Sequence, residues 1–254
     1  MSTSQSLLVV LTHPTTPMVE DEYNDWYSNN HLQDVMLSKG FPSANRYRQK
    51  HVLVGKLPPY VALYQADHTP EDAQEAYATK NRELDNGSGM GNDWTLSPGM
   101  ALSIDWWSYY RKIHEAGSPS PYPDAPPGIL LTFSEYDQIF SSAPFEEWSQ
   151  RYVDAMSEYP AIRGATTYKL GLQAGGELPP RYMTVYELNG PIENYESVHD
   201  QIMDWVASSD DQRLEYPSPG MMGTSMAQVK FWGYYDTIIS RHASTLEELM
   251  ATRA

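Results

Sequence analysis

The chain has 254 residues, enough for one large domain or two of ordinary size, and is 41% hydrophobic and 12% aromatic. Its formal charge of −16 excludes a nucleic-acid partner, whose phosphates are gripped by Lys and Arg, and argues against an anionic membrane surface. The absence of cysteine removes disulfides, thiolate nucleophiles and cysteine-held zinc, and fits a cytoplasmic protein.

In chain order, Leu7 to Thr12 is a continuous apolar run that predicts a buried strand. It is too short for a signal segment, and no later stretch reaches the length of a membrane span. Pro17 and the acidic triplet Glu20-Asp21-Glu22 open a helix running to about Ser38, with Gly40 beyond its end. Ser43 to Val54 alternates as a strand, Leu57-Pro58-Pro59 turns, and Tyr60 to Ala66 is another apolar strand. Thr69-Pro70-Glu71-Asp72 starts a second helix, with threonine as cap and proline in the first turn. A glycine-rich stretch, residues 86–92, reads as a lid over a pocket or as a loose loop, and an aromatic strand follows from Ala101 to Arg111.

Residues 118–127 are proline-dense and form a linker between a first domain, 1–117, and a second, 128–254. The same order then returns: strand Gly128 to Phe133, helix Pro144 to Glu158, strand Ile162 to Leu172, strand Tyr182 to Leu188, helix Ile192 to Ser208, and an aromatic strand ending at Tyr235. A short polar helix over 244–251 closes the chain. Trp26 matches Trp148, Tyr47 matches Tyr168, Leu57-Pro58-Pro59 matches Leu178-Pro179-Pro180 and Tyr64 matches Tyr186, at separations of 121 or 122 positions. Trp107-Ser108-Tyr109-Tyr110 matches Trp232-Gly233-Tyr234-Tyr235 at 125. The near-constant offset is that of a duplicated domain. Each βαββαβ unit predicts a ferredoxin-like α+β fold, with antiparallel sheet faces that must be buried against each other.

Glu22-Tyr23-Asn24-Asp25-Trp26-Tyr27, His31, Gly40-Phe41, Ser43-Ala44 and Arg46-Tyr47 carry a resemblance to the dimeric α/β-barrel proteins, most of all their EthD-like branch. The resemblance implies two sheets closing an α/β barrel, here within one chain, so that the protein is a monomer with an internal pseudo-dimer or a weak homodimer. It also implies enzymes that include cofactor-independent cyclases, decarboxylases, isomerases and oxygenases.

The candidate chemistry centres on His31. Helical spacing puts Tyr23, Tyr27, His31 and Val35 on one stripe. The matching positions in the second half are Phe145, Ser149 and Val153, so the imidazole is present in one half only. This asymmetry predicts an active first half and a degenerate second, with His31 as acid or base and Tyr23, Tyr27 and His13 assisting. Arg46, Tyr47, Tyr64 and Trp107 are the substrate-binding candidates, Arg46 for a carboxylate. His13, His31 and His68 do not make a metal site, and no cofactor is expected. The expected function is therefore a lyase or isomerase without cofactor, acting on a small aromatic or polyketide-like molecule. The alternatives are a non-catalytic carrier of a hydrophobic ligand, a cofactor-free monooxygenase, or a haem protein of the same superfamily.

Overall fold

The computed structural model describes residues 6–14, 20–85, 102–120, 125–135, 143–190, 193–214 and 228–242. The glycine-rich stretch 86–92, linker residues 121–124 and the expected C-terminal helix lie outside the described residues. Eight strands form one closed antiparallel barrel in the order β1-β3-β2-β8-β5-β7-β6-β4. They are β1 (Ser6–Pro14), β2 (Ser43–Val54), β3 (Tyr60–Ala66), β4 (Leu102–Gly117), β5 (Gly128–Glu135), β6 (Ile162–Gly176), β7 (Tyr182–Leu188) and β8 (Gln228–His242). Helices pack outside: α1 (Glu20–Trp26), a π-helical turn (Tyr27–His31), α2 (Leu32–Met36) and α3 (Pro70–Asp85) in the first half; α4 (Ala143–Met156) and α5 (Tyr195–Ser208) in the second.

The continuous apolar character of β1 follows from burial on both faces. Leu7, Val9 and Leu11 point into the barrel, while Leu8 and Val10 face the helices. The barrel interior is one core drawn from both halves, in which Val61, Leu63 and Tyr47 meet Ile129, Leu131, Phe133 and Met183. Within each half the sheet order is fourth, first, third, second strand, the ferredoxin-like arrangement. The halves join through β2–β8 and β4–β6.

These joints explain why several strands outrun their sequence-based limits. β4 continues to Gly117 through the polar Lys112-Ile113-His114-Glu115, where Lys112 pairs with Tyr168 and Glu115 with Thr166. β8 continues past Tyr235 to His242 because Tyr47, Arg46 and Ser43 receive it. Two reciprocal hydrogen bonds lock the junctions. Tyr110 of the first half donates to the carbonyl of Pro180 at 2.8 Å, and Tyr235 of the second donates to that of Pro58 at 3.1 Å. The repeated Leu-Pro-Pro and Trp-x-Tyr-Tyr motifs are the two sides of these locks.

Among the described residues no helix is long and apolar enough to cross a membrane.

The chain reverses after α2 at Gly40, whose φ of +88° is open to glycine at little cost; a Cβ there would lie 2.2 Å from the His68 imidazole. Gly40→Ala is expected to lower unfolding stability by about 1–2 kcal/mol or more, whereas Gly190→Ala, where a Cβ meets nothing within 4 Å, is expected to be near neutral in the same denaturant titration.

Candidate functional site

Each half has a layer between the outer sheet face and its helices, and the two layers are filled differently. In the first, helix α1 passes through the π turn before α2, so the stripe Tyr23, Tyr27, His31, Val35 is preserved and all four residues are buried against the sheet. π turns are recurrent at functional sites.

The centre of this layer is Arg46, on β2, which is 0% exposed. Its guanidinium lies 4.9 Å from the Tyr23 ring, 4.5 Å from Tyr27 and 4.5 Å from Tyr60. It donates to Asn24 Oδ1 at 2.7 Å and to Ser28 Oγ at 3.2 Å. Among the described residues no carboxylate pairs with it, and its Nε has no hydrogen-bond partner. Three aromatic faces therefore carry much of the stabilisation of a buried cation, each worth about 0.5–2 kcal/mol. Tyr60 donates in turn to Glu20, and Tyr23 is hydrogen-bonded to Thr12.

His31 stacks on Trp26, with ring centroids 4.9 Å apart and planes 13° apart, and meets the Tyr27 edge at 4.9 Å. Burial, reinforced by the positive charge of Arg46, lowers its pKa to about 4. The imidazole is thus neutral at pH 7 and a weak base. Tyr64 donates to Tyr27 at 3.3 Å, and burial raises the pKa of both hydroxyls.

The structure brings Tyr23, Tyr27, His31, Arg46 and Tyr64 into this one layer, with Trp107 at its margin against Tyr77. Two candidates are not brought there. Tyr47 points into the barrel core. His13 lines a separate depression of about 520 Å³, with Glu20, Lys56, Trp106 and Phe231.

In the second layer the positions of Tyr27, His31 and Arg46 are held by Ser149, Val153 and Thr167. Thr167 occupies the Arg46 position on the second strand of its half: Arg46 pairs with Ala62, Thr167 with Thr184. The hydroxyls of Thr167 and Thr184 lie 3.1 Å apart where the first half has its guanidinium. Three large side chains are replaced by small ones, and a cavity of about 300 Å³ opens. Leu130, Thr132, Thr184 and Tyr186 form its sheet wall; Phe145, Ser149, Val153 and Met156 form its α4 wall. Met203 and Val206 of α5 and Trp232 of β8 complete it. The lining is apolar and aromatic, with a few hydroxyls and, among the described residues, no charged side chain. It was missed in the sequence because space left by small residues has no motif; the substitutions Tyr27/Ser149 and His31/Val153 were its only signal.

Among the described residues the lining holds no histidine or cysteine to ligate a haem iron, and the imidazole of His199 stands behind it, 5.0 Å from the Trp232 ring. Among the described residues no group of three His, Asp or Glu side chains could hold a metal ion.

The low pKa of His31 has a thermodynamic consequence. Between pH 6.5 and about 4 the unfolded chain binds the proton and the folded one does not, so stability falls as pH drops through that window. His31 is expected to contribute a loss of up to about 3 kcal/mol, and His31→Phe should flatten this part of the stability–pH curve in urea titrations.

No known family profile and no curated protein matches the chain. Solved structures do. An anthrone oxidase-like protein superposes with a TM-score of 0.60 at 11% identity, covering 95% of this chain and 94% of its own. A protein of Fusobacterium nucleatum subsp. nucleatum that carries the monooxygenase name gives 0.57 at 8% identity, covering 94% and 95%. A dye-decolorizing peroxidase from Bacteroides thetaiotaomicron gives 0.52 at 7% identity, covering 98% and 96%. The expectation of a cofactor-independent lyase or isomerase is corrected by these proteins, which are named for oxidation, and by the weak basicity of the buried His31. At these identities the likeness shows the fold alone: an α/β barrel of the dimeric kind, closed here within one chain.

Proposed function

We propose that this chain is an oxidative enzyme acting on a small, uncharged, electron-rich aromatic molecule held in the second-half cavity. The observation that carries the reading is the cavity itself: about 300 Å³, walled by aromatic and aliphatic side chains, dotted with the hydroxyls of Thr132, Ser149 and Thr184, and free of charge among the described residues. Ligand sites have this composition, at the small end of their usual size range. The oxidative half of the proposal is supported by the names of the proteins sharing the fold. With dioxygen as oxidant, conversion of an activated ring methylene to a carbonyl consumes one dioxygen and releases one water.

The element order and matched motifs support the further proposal that the two halves arose by tandem duplication, and the α1 motif supports placing them near the EthD-like branch. Every strand of the barrel has two neighbours, which supports a monomer as the working unit.

A second reading is favoured by Arg46. A guanidinium buried, among the described residues, without a carboxylate partner could hold the oxyanion of a substrate that arrives as a phenolate.

Oxygen uptake with anthrone and related hydroxyaromatics tests both. We expect protein-dependent uptake that Ser149→Phe, which fills the cavity, lowers by about 100-fold or more in kcat/KM with an unchanged melting temperature. Uptake that survives Ser149→Phe but is abolished by Arg46→Leu moves the chemistry to the first half. No protein-dependent uptake with any member of the panel overturns the oxidative proposal.

A further inference from the structure

Among the described residues, four buried polar atoms beside the cavity have no hydrogen-bond partner: Tyr195 Oη, His199 Nδ1, Trp232 Nε1 and Tyr234 Oη. Native interiors leave few such atoms, and each one that persists calls for a group or a water to satisfy it. Here the four belong to side chains that touch one another. The rings of Tyr195 and Tyr234 are 5.5 Å apart, His199 meets the Trp232 face at 5.0 Å, and His199 and Tyr234 lie 6.3 Å apart.

The cluster continues the cavity. Trp232 belongs to both. On β8, Trp232 is paired with Thr132 and Tyr234 with Leu130, and both partners on β5 line the cavity. On α5, Tyr195, His199 and Met203 follow at intervals of four residues and so share one face, whose last member is a cavity wall. The cavity proper offers apolar surface and hydroxyls; at its β8–α5 end Trp232 is part of the lining, and Tyr195, His199 and Tyr234 stand next to it with an imidazole nitrogen and two phenols. Burial keeps the His199 imidazole on the neutral side of its ordinary range, so it presents one donor and one acceptor.

We propose that Tyr195, His199, Trp232 and Tyr234 form a hydrogen-bonding subsite that selects aromatic ligands bearing a carbonyl or hydroxyl oxygen at the end directed toward β8 and α5. The subsite rests on the reading that the second-half cavity binds an aromatic molecule, and it sets the orientation: ring system between β5, β7 and α4, oxygen toward His199 and Tyr234. A purely hydrocarbon ligand leaves all four atoms unsatisfied.

The test compares two probes of the same ring size, naphthalene and 1,4-naphthoquinone, by equilibrium dialysis against the full chain. We expect the quinone to bind tighter by about tenfold, since each hydrogen bond gained contributes about 3- to 10-fold. Tyr234→Phe and His199→Phe should each reduce that preference by about 3- to 10-fold while leaving naphthalene affinity unchanged. Tyr195→Phe, a milder change at a half-buried position, supplies the same reading if either of those variants folds poorly. Equal binding of the two probes, or a preference indifferent to all three substitutions, overturns the subsite and leaves the cavity reading standing, provided Ser149→Phe abolishes naphthalene binding. Failure of both probes to bind overturns the cavity reading and the subsite with it.

Discussion

The antiparallel pairing of β2 with β8 and of β4 with β6 is the constraint on which the rest of the molecule depends. Either half alone would present two raw sheet edges and one bare apolar face, a combination that invites aggregation. Joining them removes all four edges and merges the two faces into one interior. The tyrosine–proline locks fix the register of this closure, since Tyr110 and Tyr235 each reach into the loop of the opposite half. Their hydroxyls would otherwise be buried phenols with nothing to donate to, so the same contacts that align the halves also satisfy the core.

With the inner sheet face committed to the barrel, all variation in chemistry falls to the outer layers. The first is filled by a buried cation wrapped in tyrosines, an arrangement that stabilises its charge through ring faces and an amide oxygen. The second keeps the helix positions and loses the bulk. Phe145 meets Tyr182 with ring centroids 4.6 Å apart, and Glu146 receives the Tyr182 hydroxyl, so the entrance of α4 is anchored to the sheet as that of α1 is. The space opens beside Ser149 and Val153, which stand in for Tyr27 and His31. A rigid frame around a local loss of volume is what allows a cavity to persist instead of collapsing.

Much of the architecture was legible in the residues. The apolar run at Leu7–Leu11, the alternation after Ser43 and the repeated Leu-Pro-Pro turns mark elements whose signals are local. The continuation of β4 through Lys112–Gly117 was not legible, because those residues are polar and only their pairing with β6 keeps them extended. The π turn at Tyr27–His31 was invisible for a related reason: widening of the backbone ladder changes no residue type. The asymmetry between the layers was legible as the contrast of His31 with Val153. Its physical content was harder to read, since reasoning from side-chain chemistry weighs the groups that are present and gives no weight to the room that smaller ones leave. The unsatisfied atoms of Tyr195, His199, Trp232 and Tyr234 belong to a helix and a strand whose signals are separate in the sequence, and become a cluster only once the two pack together.

That the barrel closes within one polypeptide has a consequence for how its two faces can change. In a two-fold assembly of identical chains every substitution is made twice, and a residue that suits one layer is imposed on the other. Here Ser149 and Tyr27 are separate codons. One layer can be rebuilt while the other goes on holding its helix, and a variant tolerated on the first face carries no information about the second. The covalent joint thereby frees the protein from its own symmetry.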